Sequence, residues 1–135
     1  MKIEVTSQAL ERIKRAAQAA QPHEACGLLL GALQSGVAKI DRVVTTRNVH
    51  ATPRTHFEID PRQLIDAHRA EREGGPQLLG YFHSHPQGPP APSAIDQAHA
   101  AGDGKIWAIA GGGEVRFFHD AKEGFVPLFH DEYED

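Results

Sequence analysis

The chain has 135 residues, 40% hydrophobic and 24% charged, with a net charge of -4 when its nine histidines are neutral. That suffices for one hydrophobic core and one domain spanning residues 1–135, and excludes a disordered chain. The negative balance and scattered arginines exclude nucleic acid as a main partner, and no apolar run approaches the ~20 residues of a membrane span.

The N-terminus, MKIEVTSQAL, has no basic-then-apolar leader pattern. A single cysteine, Cys26, excludes an intrachain disulfide and points to a reducing cytoplasm. Lys2 to Val5 alternates like a short strand, and Thr6 or Ser7 suits the cap of a helix. That helix carries Leu10, Ile13, Ala17 and Ala20 on one face, and Pro22 helps end it. Cys26 to Leu33 is almost wholly apolar, as in a strand buried on both faces, and Glu24 stands just before it. Val37 to Thr46 alternates and is rich in β-branched residues, so it is expected to pair back through a turn at Gln34-Ser35-Gly36.

Asn48 to Thr55 reads as loop and His56 to Ile59 as a short strand or extended piece. Asp60-Pro61 marks a helix start, with Gln63 placed to complete a capping box and Leu64, Ile65 and His68 expected to face inward. Gly74-Gly75-Pro76 ends it, and Gln77 to His85 is a second buried strand. A stiff loop with four prolines follows, then a short helix from Ser93 to about Ala101. Lys105–Ala110 and Glu114–His119 form a hairpin around three glycines. Phe125–Phe129 is expected as an edge strand, because Pro127 is tolerated only there, and residues 130–135 as a frayed acidic tail. The order of elements indicates one mixed sheet flanked by helices in a single α/β or α+β domain.

The chemistry concentrates in GYFHSHPQGPPAPSAIDQA, from Gly80 to Ala98. Residues two apart on a strand share a face, about 6.6 Å apart, so His83 and His85 reach one ion while Ser84 points away. Asp96, in the first turn of the next helix, is the natural third ligand. Two imidazoles and a carboxylate suit zinc and leave a fourth position for solvent, the mark of a catalytic rather than a structural site. Glu24 is the candidate general base, since an acidic residue at the mouth of a buried strand needs a reason to be there. Ser93 is the candidate oxyanion donor. Taken alone, Ser93 to Asp96 is also the spacing of a helix capping box, and a His-x-His pair or a lone Glu is often ordinary surface chemistry. Their ordered conjunction at chelating spacing favours the metal site. His99 reads as a surface residue near it, Trp107 and Cys26 as core, and Gly111-Gly112-Gly113 as a hairpin turn rather than a phosphate loop.

Together these residues resemble the JAMM (MPN-plus, JAB-type) zinc metallopeptidases, whose pattern is an upstream Glu, then His-x-His-Pro, six residues, Ser, two residues, Asp. The chain reads Glu24, His83-Ser84-His85-Pro86, QGPPAP, Ser93, Ala94-Ile95, Asp96, and the context EACGLLLG around Glu24 is also similar. The resemblance implies an α/β fold with a curved sheet between helices, similar to the cytidine-deaminase-like fold. It implies one Zn2+ per chain on His83, His85 and Asp96, with Glu24 and Ser93 catalytic. It further implies cleavage of a peptide or isopeptide bond after the C-terminal glycine of a ubiquitin-like protein. The chain is compact and lacks the long insertions of the eukaryotic deubiquitinases. It resembles instead the small stand-alone prokaryotic members, which look like processors of sulfur-carrier proteins ending in Gly-Gly: they trim the carrier or release an amino acid from it. The stretch from Asn48 to Glu58 is the expected place for the carrier's extended tail. A nucleoside-type deaminase is excluded because it needs a Pro-Cys-x-x-Cys pair. A non-catalytic MPN scaffold and a zinc peptidase of unrelated substrate are the alternatives; scaffolds typically lose the ligands that this chain keeps.

Overall fold

The computed structural model describes residues 1–134. In chain order the elements are β1 (Lys2–Thr6), α1 (Ser7–Ala20), β2 (Cys26–Gln34), β3 (Val37–Thr46), α2 (Pro61–Arg72), β4 (Gln77–Ser84), α3 (Ala94–His99), β5 (Ile106–Gly111), β6 (Glu114–Ala121), β7 (Gly124–Leu128) and β8 (His130–Tyr133). Among the described residues the strands form one sheet in the order β7-β6-β5-β4-β2-β3-β1-β8. β4 and β5 run parallel, as do β1 and β3, and β1 and β8; the other neighbours are antiparallel, so the sheet is mixed.

β7 and β8 lie at opposite ends of that order, yet only Phe129 separates them in the chain. The sheet therefore curls until its two edges approach one another. The Phe117 ring on β6 lies 4.8 Å from the His130 ring at the start of β8. Register shifts in β2 at Leu29/Leu30 and Leu30/Gly31 are bulges, which add local bend.

Alternation along β2 and β4 divides the apolar residues between two faces. Leu29 and Leu79 join Ile3, Val5, Leu10, Ile13 and Phe82 in the main core under α1. Leu28, Leu30 and Leu78 face the other way, against Leu64 and Ala67 of α2. Each fully buried side chain of this kind contributes about 1.5–3 kcal/mol by leaving water. The sheet is thus sandwiched by its helices, a single α/β domain as the sequence indicates.

Local chemistry sets the boundaries. Thr6 caps α1 by accepting from the Ala9 N–H, and Asp60 caps α2 by accepting from the Arg62 N–H. Two-residue turns join β2 to β3 through Ser35 and Gly36 and β5 to β6 through Gly112 and Gly113, all four with positive φ. That is the type I′ geometry whose twist matches the strands. β7 is an edge of the sheet and carries Pro127.

Of the two readings of His56–Ile59, strand or extended piece, the structure has the second, with only an isolated bridge joining Asn48 to Ile59. Three expectations are corrected. Gln63 completes no capping box, because its Oε1 accepts from the Arg47 N–H instead. Ile65 and His68 face solvent, since Leu64 and Ala67 already occupy the inward stripe. The acidic tail does not fray over His130–Tyr133, which pairs in parallel with β1 and is tied by Lys2–Asp131 at 3.5 Å; Asp135 lies outside the described residues. Asp and Glu are poor strand formers. A parallel ladder to β1 holds them here through the backbone, which their side chains do not advertise.

Candidate metal centre and its cleft

Three adjacent strand ends build the site. β4 lies between β2 and β5, with His83 opposite Cys26 on one side and Ile109 on the other. The Ser84 side chain points away, accepting from the Ala25 N–H at 2.8 Å, while the Ser84 N–H donates to the Ala25 carbonyl at 3.1 Å. This pairing carries Glu24 to the end of β4, beside the histidines. After β4 the proline loop lies down on the end of β5: a Cβ at Gly111 would meet the Gly88 oxygen at 2.6 Å. The loop then delivers Ser93 and α3. Ser93 caps α3, its Oγ accepting from the Asp96 N–H at 3.0 Å while its own N–H donates to Asp96 Oδ2 at 2.9 Å. The capping box is therefore present, and it also aims the carboxylate.

His83 Nε2, His85 Nε2 and Asp96 Oδ2 converge. The two nitrogens are 3.1 Å apart, and the carboxylate oxygen lies 3.1 Å from His83 and 3.0 Å from His85. Zinc bonds of about 2.0–2.2 Å at tetrahedral angles place their donor atoms about 3.3 Å apart, so the spacing fits one ion. The donor chemistry fits as well. His85 Nδ1 lies 2.8 Å from the Pro89 carbonyl, which only a protonated Nδ1 can use as a hydrogen bond. In the neutral ring that leaves the Nε2 lone pair for a cation shared with Asp96, while a protonated Nε2 donates to the same carboxylate oxygen. His83, His85 and Asp96 are the one His/Cys/Asp/Glu group among the described residues whose donor atoms converge in this way.

Electrostatics differ across the cluster. His83 is 0% exposed, and burial holds its pKa below the usual imidazole value. Burial opposes charge on His85 too, but hydrogen bonds to Asp96 and Pro89, with the charges of Asp96 and Glu24, raise its pKa overall. For Asp96, burial is outweighed by the hydrogen bonds from both histidines, which keep it well below the ordinary carboxylate range. Glu24 is buried, and its Oε1 has no hydrogen-bond partner among the described residues. Burial raises its pKa to about 7, with His85 pulling it down and Asp96 pushing it up.

A cleft of about 440 Å³ opens beside Asp96, with largely apolar walls that include His56, Phe57, Tyr81, Ile95, His99 and Trp107. One wall is the 50–59 segment. Asn48 pins it: its Nδ2 donates to the carbonyls of Glu24 and His56, and its Oδ1 accepts from the N–H groups of His50 and Glu58. Asp120, 1% exposed, secures the opposite wall by accepting from the N–H groups of Ala101 and Gly102. Sequence reading passed over Asn48, Phe57 and Asp120. An Asn in a loop signals only a turn, and Asp120 sits inside a strand pattern. Trp107 is core as expected but also lines the cleft, and His99 is exposed at its rim. Cys26 is a buried thiol paired with Thr46, and burial raises its pKa.

Comparison with known proteins adds to this geometry. The family described as prokaryotic homologs of the JAB domain matches residues 6–121. A desampylase of Haloferax volcanii is 32% identical over 100 residues, which is 74% of this chain and 70% of that protein. A probable TtuB-protein conjugate cleaving protease of Thermus thermophilus is 41% identical over 64 residues, 47% of this chain and 43% of that protein, so this chain matches less than half of its length. Among solved structures, the solution structure of a Desulfitobacterium hafniense protein superposes with a TM-score of 0.87 at 31% identity, covering 98% of this chain and 94% of the other. The crystal structure of a JAB1/MPN domain protein from Archaeoglobus fulgidus superposes at 0.60 and 21% identity, covering 97% and 98%, a likeness of fold.

Proposed function

The chain belongs to the prokaryotic JAB-domain family, and from that premise we propose that it is a zinc-dependent metallopeptidase. Its substrate in this reading is a peptide or isopeptide bond after the C-terminal glycine of a ubiquitin-like, sulfur-carrier protein, with release of an amino acid or a peptide. The observation that carries the proposal is the convergence of three donor atoms within 3.1 Å of one another, beside a buried carboxylate with an unpaired oxygen. Relatives named for desampylation and for cleavage of TtuB-protein conjugates support the substrate class.

His83, His85 and Asp96 would hold the ion. Bound there, zinc supplies Lewis acidity, lowering the pKa of water to about 7 and polarising the scissile carbonyl. Glu24 takes the proton from the attacking water and passes it to the leaving amine; a pKa of about 7 suits both transfers near neutral pH. The Ser93 Oγ accepts from the Asp96 N–H, which leaves its O–H to donate to the substrate oxygen as negative charge develops. The capping box thus serves two ends, orienting the Asp96 carboxylate and the Ser93 hydroxyl together. The carrier's extended tail lies in the cleft along the 50–59 segment. Its narrow Gly-Gly end passes Phe57 and Trp107 to reach the histidines. We propose the cytoplasm as the place of the reaction, since a chain whose one cysteine, Cys26, is a free buried thiol suits a reducing compartment; among the described residues no helix is long and apolar enough to cross a membrane.

The test is cleavage of a carrier–lysine isopeptide and of a carrier–amino acid adduct by the zinc-loaded protein. The proposal expects one or both to be cut, with Glu24→Gln inactive yet still holding zinc. Full activity after exhaustive chelation contradicts the metal assignment, and a zinc-loaded chain that cuts neither substrate returns the reading to a scaffold or to a peptidase of other specificity.

A further inference from the structure

The two histidines of the cluster are held by different means. His85 is oriented by a hydrogen bond from Nδ1 to the Pro89 carbonyl. His83 has none: its Nδ1 is buried and has no hydrogen-bond partner among the described residues. Histidines that ligate metals almost always give their second ring nitrogen to a carboxylate, a carbonyl or water, which fixes the ring. In place of such a partner, His83 is packed between aromatic rings. Phe57 stacks on it with centroids 4.4 Å apart and planes 16° from parallel, and Trp107 meets it edge-on at 5.6 Å and 88°. Phe57 and Trp107 also touch each other, 6.0 Å apart at 76°.

We propose that Phe57 is the positioning residue of His83, its ring plane replacing the hydrogen bond that His85 has. The inference rests on the reading of His83 as a metal ligand. The Cβ–Cγ bond lies in the plane of the imidazole, so turning the ring about that bond would break the stack with Phe57; the stack therefore keeps Nε2 aimed at Asp96 Oδ2, 3.1 Å away. The arrangement also gives Phe57 two duties, because the same side chain is a wall of the cleft beside Asp96. It comes from the segment pinned to the Glu24 carbonyl by Asn48. The substrate wall, the base and the buried ligand are therefore joined through one short segment of chain. Trp107 does not supply the stack: its ring stands at 88° to that of His83 and shares no plane with it.

Zinc affinity, measured by competition with a chromophoric chelator, tests this without reference to activity. Phe57→Leu keeps apolar bulk and loses the plane; it is expected to weaken zinc binding about tenfold, the lower end of the effect of removing a partner that orients a ligand. Phe57→Tyr keeps the plane and is expected to bind within about twofold of wild type on the same ground. Phe57→Met fills the space with a flexible side chain and substitutes for the leucine variant should that one not fold. Leu64→Ala is the control for general loosening, since Leu64 lines the same cleft and packs on the Leu28, Leu30 and Leu78 cluster. Wild-type affinity in the leucine or methionine variant overturns the proposal, as does an equal loss in Leu64→Ala. His83→Ala separates the two levels of the argument: if it too keeps wild-type affinity, His83 is no ligand and the reading beneath the proposal has failed.

Discussion

The strand side and the loop side of the candidate metal centre solve the same problem by opposite means. His83 belongs to β4, is 0% exposed, and is surrounded by rings. His85 lies just past the strand, is partly exposed, and is held by a backbone carbonyl of the proline loop. Burial lowers the pKa of the first, while hydrogen bonds and the carboxylates of Asp96 and Glu24 raise that of the second. The strand side is buried and fixed by packing; the loop side is more polar and, in the proposed reaction, carries the groups that handle protons. A hydrolytic centre needs both, a rigid ligand that excludes water from its back and a front open to substrate and solvent.

If proton handling belongs to the loop side, the largest effect comes from Glu24. Glu24→Gln is expected to lower kcat by about 10²–10⁴-fold, the usual contribution of a general acid–base, while zinc content stays the same. Steady-state kinetics with metal analysis checks this, and retained activity places the base elsewhere. Ser93→Ala is next, lowering kcat by about 10²–10³-fold through the lost oxyanion donor. It also costs about 1 kcal/mol of stability through the lost cap of α3. Ser93→Thr, which keeps both hydroxyl roles, restores most of each; loss of stability without loss of kcat reduces Ser93 to a cap.

The buried charge of Glu24 has a signature in stability as well. Its pKa is raised from 4.5 to about 7 in the fold, so between those values the native state keeps a proton that the unfolded chain has lost. Stability is therefore full below pH 4.5 and declines as pH rises through 7, by about 3 kcal/mol in total. Gln does not ionise. In the presence of chelator, Glu24→Gln is expected to match wild type near pH 4 and to exceed it above pH 7 by a margin of that order. Denaturant unfolding at the two pH values measures it, and an equal margin at both contradicts the buried ionisation.

Gly111→Ala separates the two sides most cleanly. Its Cβ would crowd Gly88 and Pro89, moving the carbonyl that holds His85, while the rings around His83 are untouched. Zinc affinity is expected to fall about tenfold. Combining this change with Phe57→Leu should give additive losses if the two histidines are positioned independently, and a shortfall from additivity shows that they are coupled.

Much of this was legible in the residues, and the limits have physical causes. The spacing of His83, His85, Ser93 and Asp96 could be read because each step is local: strand alternation sets the first pair and a helix cap sets the second. The structure brings the three donors together as that spacing indicates. Glu24 was reached through the oddity of a carboxylate before an apolar run and through the family pattern, not through local spacing; its burial depends on the β2–β4 pairing, which joins residues 59 apart in sequence at Ala25–Ser84. Phe57 carries no local signal, since its importance comes from what stands opposite it. β8 was missed because its ladder to β1 is made by backbone groups, which its acidic side chains do not signal.

The most direct test of the central claim is an anomalous-difference map at the zinc edge, from a crystal grown with the metal. One peak per chain is expected, bonded to His83 Nε2, His85 Nε2 and Asp96 Oδ2 at about 2.0–2.2 Å. A peak held by other residues, or no peak among these three, contradicts it.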